Sequence, residues 1–392
     1  MTTQLQLFSK DLNRKLVNWR RDFHMNPELG FNEIRTSQKV AETLLSMGVM
    51  VKRNIGKTGV VGELGSGKPI IALRADMDAL PLEEKNQVTY ASRNKGVMHA
   101  CGHDAHTAML LGVAQVLSRT SFPGTVRFLF QPSEEVSDED GLSGAPRMVQ
   151  DGAMHGVDMV IATHVAPATP VGKIRVESGP ASGGVDSWFG RIIGKGGHGA
   201  YPYITTDPFY ILGHVINALN AIISRRVAPF SPAVVSIGSI NGGHTENVIP
   251  ESINITGTLR YTEKSVQKLL HSEIRRAFNI AKTLGGDYEL KVELGDPPMI
   301  NATQAVDLIE KAAGELIGKR NILPMTKDLG AEDFGVFSNL APGAMFSLGA
   351  RIEGDVRTGH NPYFDIDEAC LPIGASILVE SALIFLRRST SG

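Results

Sequence analysis

Apolar residues recur along the chain at two spacings, and the two alternate. Residues 5–18 and 32–47 carry them at helical intervals, the second stretch stopping at Gly48, a residue suited to end a helix. Apolar runs at 59–64 and 70–74 read as strands, the latter buried. Helical spacing returns at 107–117, followed by a strand at 126–130 after the turn pair Pro123-Gly124. A helix through 147–150 and an apolar strand at 159–163 complete this part. Strands alternating with helices predict an α/β fold: a mixed, mostly parallel sheet with helices on both faces.

The middle of the chain changes character. Strands are predicted at 187–193, 234–240, 253–261 and 288–294, and helices at 208–224 and 263–284. Their order, β-α-β-β-α-β, is that of a ferredoxin-like α+β domain. Gly183-Gly184 precedes it and the stretch from Gly295 to Pro298 follows it, both suited to hinges. Helix 305–317, strand 344–348 and helix 372–386 then resume the first style. The expectation is a discontinuous α/β domain, residues 1–184 and 296–392, with an inserted domain at 185–295.

Composition narrows the function classes. A chain of 392 residues has room for two or three domains. Its 39 basic and 41 acidic side chains nearly cancel, so no nucleic-acid partner and no anionic membrane surface is expected. The longest apolar run, 369–386, is broken by Pro372, Glu380 and Ser381, and no membrane span is expected there. The chain opens on polar residues, no signal peptide is read, and a cytoplasmic location is expected. Cys101 and Cys370 make no disulfide framework. In a reducing compartment, a cysteine among histidines points to metal or nucleophile chemistry.

The uncommon polar residues stand just after predicted strands. Asp76 and Asp78 follow 70–74; Gln131, Glu134 and Glu135 follow 126–130; His164 ends 159–163; His360 lies in the loop after 344–348. Open α/β sheets bind ligands outside the carboxyl ends of their strands, so topology gathers these residues in one crevice. The densest cluster runs from Met98 to His106 and holds His99, Cys101, His103, Asp104 and His106. A thiol and imidazoles this close suit a transition metal. Cys101 and His103 can face one site from so short a segment; further ligands must come from elsewhere, with Glu135, His164 and His360 as candidates. His99 and His106 read as supporting groups, with Asp76, Asp78 or Asp104 orienting a ligating histidine.

Plainer readings stand beside these. Cys101 alone would be a small buried hydrophobe, as Cys370 is read to be. Glu134-Glu135 alone would be an exposed acidic turn, with Asp138 and Asp140 close behind, and His164 alone a structural residue. Cys101 with His103 or His106 would also make a thiol–imidazole nucleophile. That leaves Glu134, Glu135, His164 and His360 without a task, whereas a two-metal centre uses them all.

Eight stretches together resemble the amidohydrolase branch of metallopeptidase family 20, which includes hippurate hydrolases, auxin-amino-acid-conjugate hydrolases and N-acyl-amino-acid deacylases. They are RRDFHMNPELG from Arg20 to Gly30, RADMDALP from Arg74 to Pro81, MHACGHDAH from Met98 to His106 and QPSEE from Gln131 to Glu135. GGHGAYP from Gly196 to Pro202, NVIP from Asn247 to Pro250, GTLR from Gly257 to Arg260 and EDF from Glu332 to Phe334 complete the set. The resemblance implies two divalent cations (Zn, Mn, Ni or Co) held by Cys101, His103, Glu135, His164 and His360, with Cys101 bridging. It implies Glu134 as general base, and Asn247 and Arg260 as substrate-binding residues. The inserted domain would be a lid that also makes a homodimer, carrying His198 to the partner subunit's active site. The implied reaction is hydrolysis of N-acyl amino acids to a carboxylic acid and a free amino acid. A dipeptidase or carboxypeptidase on the same scaffold is the alternative, and a non-catalytic binding protein a third class. Tyr203, His244 and Gly359 depart from the family pattern, which usually has His, a small residue and Leu there, and bear on the substrate pocket and its rim.

Overall fold

The continuous apolar runs form the middle of an eight-stranded sheet. In the computed structural model, which describes residues 9–388, its strand order is Met50–Ile55, Gly59–Ser66, Gly124–Gln131, Ile70–Asp76, Met159–Pro170, Gly343–Arg351, Ile174–Arg175, Ile322–Leu323. The four strands from Gly124–Gln131 to Gly343–Arg351 run parallel to one another. Ile71, Leu73, Val126, Phe128, Phe130, Ile161, Phe346 and Leu348 along them are buried. Such runs need cover on both faces, which is why they do not alternate with polar residues. The outer pairs joining Met50–Ile55, Gly59–Ser66 and Gly124–Gln131 are antiparallel. Met50–Ile55 has no signature in the sequence: its Lys52, Arg53 and Asn54 suit an exposed edge strand.

Helices Lys10–Met25, His103–Leu117 and Leu371–Arg388 pack on one another over this core. Residues 5–8 of the first predicted helix lie outside the described residues. The helix itself continues well past its expected end and so carries Arg20 and His24, both buried. Glu368–Arg388, including its opening 3-10 turn, is long and apolar enough to cross a membrane. Most of it is buried in this core, and Cys370 at its start is fully covered.

Two element boundaries shape the polar cluster. The helix expected at 107–117 begins at His103, because Gly102 turns the chain at φ 92° and admits the imidazoles to the first turn. A β-carbon on Gly102 would also lie 2.3 Å from Val165 Cγ2. The strand expected to end at His164 runs on to Pro170. Its neighbour Ile70–Asp76 pairs with it only as far as Arg74 opposite Ala162, so His164 stands beyond that ladder.

The chain divides into two compact units. One comprises the chain up to Ala181, Ile300–Thr326 and the chain from Asp333; the other is Ser182–Met299 with Lys327–Glu332. The second unit has a four-stranded antiparallel sheet in the order Ala233–Asn241, Ser252–Tyr261, Gly184–Ile193, Asp287–Leu294. Pro208–Arg226 and Lys264–Phe278 pack on it, and the predicted helix over 263–284 is interrupted at Asn279. This is the β-α-β-β-α-β order expected of a ferredoxin-like domain. Its core centres on Trp188, Ile255, Leu219, Leu270 and Phe278. Gly257 must be glycine, since a β-carbon there would lie 2.4 Å from the Trp188 ring. Removing that ring leaves a large void: Trp188→Ala should cost about 3–5 kcal/mol of the second unit's stability, measured by urea unfolding of the whole chain.

Candidate metal centre

All six candidate residues of the metal centre belong to the first unit. Cys101 and His103 flank Gly102 at the start of helix His103–Leu117. Glu134 and Glu135 follow strand Gly124–Gln131, His164 lies in strand Met159–Pro170, and His360 lies in the loop after Gly343–Arg351. The separate strand ends do converge. Cys101, His103 and His164 have ligand atoms within 4.8 Å of one another, and so do Cys101, Glu135 and His360. The two triads share Cys101, whose sulfur lies 3.4 Å from His164 Nε2. Each can hold a cation. His103, Glu134 and Glu135 form a further group within the same limit, which puts Glu134 beside the triads.

The surrounding hydrogen bonds aim the donor atoms. His103 Nδ1 lies 3.1 Å from Asp78 Oδ1 and 3.0 Å from the Asp78 carbonyl, so it donates there. Nε2 of the same ring is buried with no hydrogen-bond partner and lies 4.0 Å from Glu135 Oε1, which in turn lies 3.1 Å from His360 Nε2. Buried polar atoms without partners are costly, and a cation between them is the natural remedy. Asp78 also accepts from the Glu135 amide at 3.0 Å, tying two candidate donors to one carboxylate. His164 Nδ1 donates to the Val165 carbonyl at 2.9 Å, which turns Nε2 toward Cys101.

His106 has a supporting place instead. Its Nδ1 lies 2.6 Å from Asp76 Oδ1, and its Nε2 accepts from the Val165 amide at 2.9 Å, so neither nitrogen remains for a metal. Burial pushes its pKa down to about 4, against the pull of Asp76, and the ring is neutral. His99 is buried with neither nitrogen bonded, and burial likewise holds it near 4.

Charges within the cluster set its ionisation. Burial raises the Cys101 thiol pKa, but His164 and His103 outweigh it and bring the group to about 6. The thiolate, the metal-binding form, is therefore present at neutral pH. Glu135 is lowered despite burial, by His360 and His103. Asp76 is held well below the usual carboxylate range by Arg74, His103 and His106, which overcome its burial.

Two buried networks brace the site. Arg74 donates to Asp76 Oδ2 at 2.6 Å, to Gln131 Oε1 at 2.7 Å and to Asp333 Oδ1 at 3.0 Å. Arg20 donates to Asp104 at 2.9 Å and to Asp365 at 2.7 Å, and His24 Nδ1 lies 2.7 Å from the same Asp104 oxygen. Asp104 adjoins His103, and Asp365 follows His360 closely. Gln131 and Asp333 belong to the QPSEE and EDF stretches, and nothing in their local pattern signals that they meet Arg74.

His198, Asn247 and Arg260 belong to the second unit. Structure brings the first two together: Gly197-His198 pairs with Val248-Ile249, and the Gly199 amide donates to the Asn247 carbonyl at 2.8 Å. His198 Nδ1 accepts from the Ala200 amide at 3.0 Å. Arg260 lies apart on strand Ser252–Tyr261, opposite Val185 and Val234. There burial and Glu332 push Asp296 up to about 6, and Arg260 pulls it back.

Known proteins resemble this chain in sequence and fold. Residues 72–383 match the model of peptidase family M20/M25/M40. An N-acyl-L-amino acid amidohydrolase of Geobacillus stearothermophilus is 42% identical over 74% of this chain and 79% of its own. Thermostable carboxypeptidase 2 of Saccharolobus solfataricus is 38% identical over 93% of this chain and 94% of its own. A crystal structure of a Bacillus subtilis protein, described as a dinuclear metal-binding peptidase from the M20 family, superimposes with a TM-score of 0.85. It is 33% identical and covers 97% of this chain and 99% of its own. The chain thus belongs to the M20/M25/M40 peptidase family and is a metal-dependent hydrolase.

Proposed function

We propose that this protein hydrolyses the amide bond of N-acyl amino acids, releasing a carboxylic acid and a free amino acid. The observation that carries the reading is the pair of donor triads sharing Cys101, with Glu134 beside them. The amidohydrolase relative, 42% identical, supports the acyl substrate. The unpartnered His103 Nε2, the low thiol pKa and the mixed Cys, His and Glu donors fit two divalent cations, of zinc, manganese, nickel or cobalt. Cys101, His103, Glu135, His164 and His360 would hold them. When bound, such ions polarise a carbonyl and acidify a water.

The chain's own groups supply the rest. Glu134 takes the proton of the attacking water and delivers it to the departing amine. His198 stabilises the developing oxyanion. Asn247 and Arg260 bind the substrate, the Arg260 guanidinium pairing with its carboxylate. In this reading the enzyme works in the cytoplasm as a homodimer through the inserted domain, 185–295, with residues 1–184 and 296–392 as its catalytic domain. The 38% identical carboxypeptidase favours a second reading, cleavage of a C-terminal residue from short peptides by the same groups.

Three experiments test this. Glu134→Ala should keep metal content near wild type and lower turnover by about 10²–10⁴-fold, whereas Glu135→Ala should lose metal, by elemental analysis and steady-state kinetics. The reversed pattern would show the two roles exchanged. With enzyme loaded with zinc, manganese, nickel or cobalt, N-acetyl and N-benzoyl amino acids should be cleaved faster than dipeptides or longer peptides with a free C-terminus. Faster cleavage of free dipeptides would give the peptidase reading precedence. Finally, mixing His198→Ala chains with Glu134→Ala chains should restore activity as subunits exchange, because one site of each heterodimer is then complete. Persistent inactivity of demonstrated heterodimers would mean that His198 does not act across the dimer.

A further inference from the structure

Glu33 is a fully buried carboxylate at the start of helix Ile34–Ser46, yet it does not cap that helix. Its oxygens serve elsewhere: Oε1 accepts from the Ser133 amide at 2.8 Å, and Oε2 accepts from the Thr58 hydroxyl. No Lys, Arg or His pairs with it among the described residues. A buried carboxylate without a cation is unfavourable unless its hydrogen bonds do something that other groups cannot.

Ser133 shows what they do. It follows strand Gly124–Gln131 and precedes Glu134 and Glu135, with φ at +45°, a conformation that side-chain-bearing residues rarely adopt. Its other polar atoms are also held: its carbonyl accepts from the Gly144 amide at 2.8 Å, and its hydroxyl donates to the Val136 carbonyl at 2.8 Å. Gly30 lies so close that a β-carbon there would come 2.3 Å from the Ser133 hydroxyl. Gly30 thus packs directly against this turn, and the Glu33 carboxylate holds its Ser133 amide.

We propose that Glu33 is a positioning residue for Glu134 and Glu135, fixing the Ser133 peptide so that one carboxylate serves the proton and its neighbour the cation. The proposal rests on the assignment of Glu134 as base and Glu135 as metal donor. It concerns shape rather than charge: the two oxygens accept from the Ser133 amide and the Thr58 hydroxyl, and an amide of the same outline can keep its oxygen on the Ser133 amide.

The test compares variants of the metal-loaded enzyme on an N-acetyl amino acid. Glu33→Ala should lower kcat by roughly 10- to 100-fold with KM within about threefold, since small misplacement of a catalytic group costs that much. Metal stoichiometry should stay at two ions per chain by elemental analysis, and amide hydrogen exchange in the peptide spanning 131–136 should quicken. Glu33→Gln should restore kcat to within about threefold of wild type, because its amide oxygen still accepts from the Ser133 amide, whereas Glu33→Met, which refills the space without an acceptor, should stay as impaired as Glu33→Ala. If Glu33→Ala does not fold, Thr58→Val decides: it leaves the carboxylate in place, removes its second hydrogen bond and should lower kcat at constant KM. Wild-type kcat in Glu33→Ala or Thr58→Val, or equal impairment of Glu33→Gln and Glu33→Ala, overturns the proposal. Glu134→Ala, assayed in parallel, separates the two levels. If it is nearly inactive while Glu33→Ala matches wild type, only the positioning role falls; if it stays active, the assignment of the base falls.

Discussion

A guanidinium buried inside a sheet has to be matched, since no water reaches it. Arg74 meets Asp76, Gln131 and Asp333 through separate nitrogens, and all four side chains are shielded from solvent. Removing one of the charged members would leave an uncompensated charge, a loss of about 3–5 kcal/mol in comparable buried pairs. Asp76 is thereby held as a charged group at the end of its parallel strand. Asp76 holds the His106 ring, and Asp333 accepts from the Ser143 hydroxyl and the Ala145 amide beyond the Glu134-Glu135 turn.

The same logic extends outward by one layer. Asp78 orients the His103 ring and the Glu135 amide, and Arg20 joins Asp104 to Asp365. Groups distant in sequence thus share carboxylates, so the donor atoms of the two triads cannot be displaced independently. His360 differs from the rest. It is more than half exposed and sits at φ +56°, held through its backbone amide to the Ala100 carbonyl at 2.8 Å. The second triad therefore includes one donor supported by a loop rather than by the sheet or the helix start.

Periodicity reveals most of the architecture, because buried parallel strands and amphipathic helices write their burial into local sequence. It misplaces the start of helix His103–Leu117, since the apolar pattern begins only after the polar residues of its first turn. Those residues are buried by partners at positions 20, 76 and 78, which no local pattern displays. His164 is legible as a site residue, although its strand continues to Pro170. The donors themselves are legible as unusual residue types placed after strands. Among their supports Asp76 and Asp78 are legible in the same way, whereas Asp333 and Glu33 are ordinary polar residues whose roles arise from long-range pairing.

The discontinuity of the first unit has a consequence for how the chain is made. Val160 pairs with Gly343 in the middle of the sheet, and the whole of Ser182–Met299 intervenes. On a ribosome, strand Met159–Pro170 emerges long before the partner that completes its parallel ladder. The second unit, almost entirely contiguous, has its sheet and both packing helices available before that partner is synthesised. Contacts of such wide sequence separation close late and slowly. The apolar strands of the first unit must therefore spend part of synthesis with an open edge, the interval in which a nascent chain most needs chaperones.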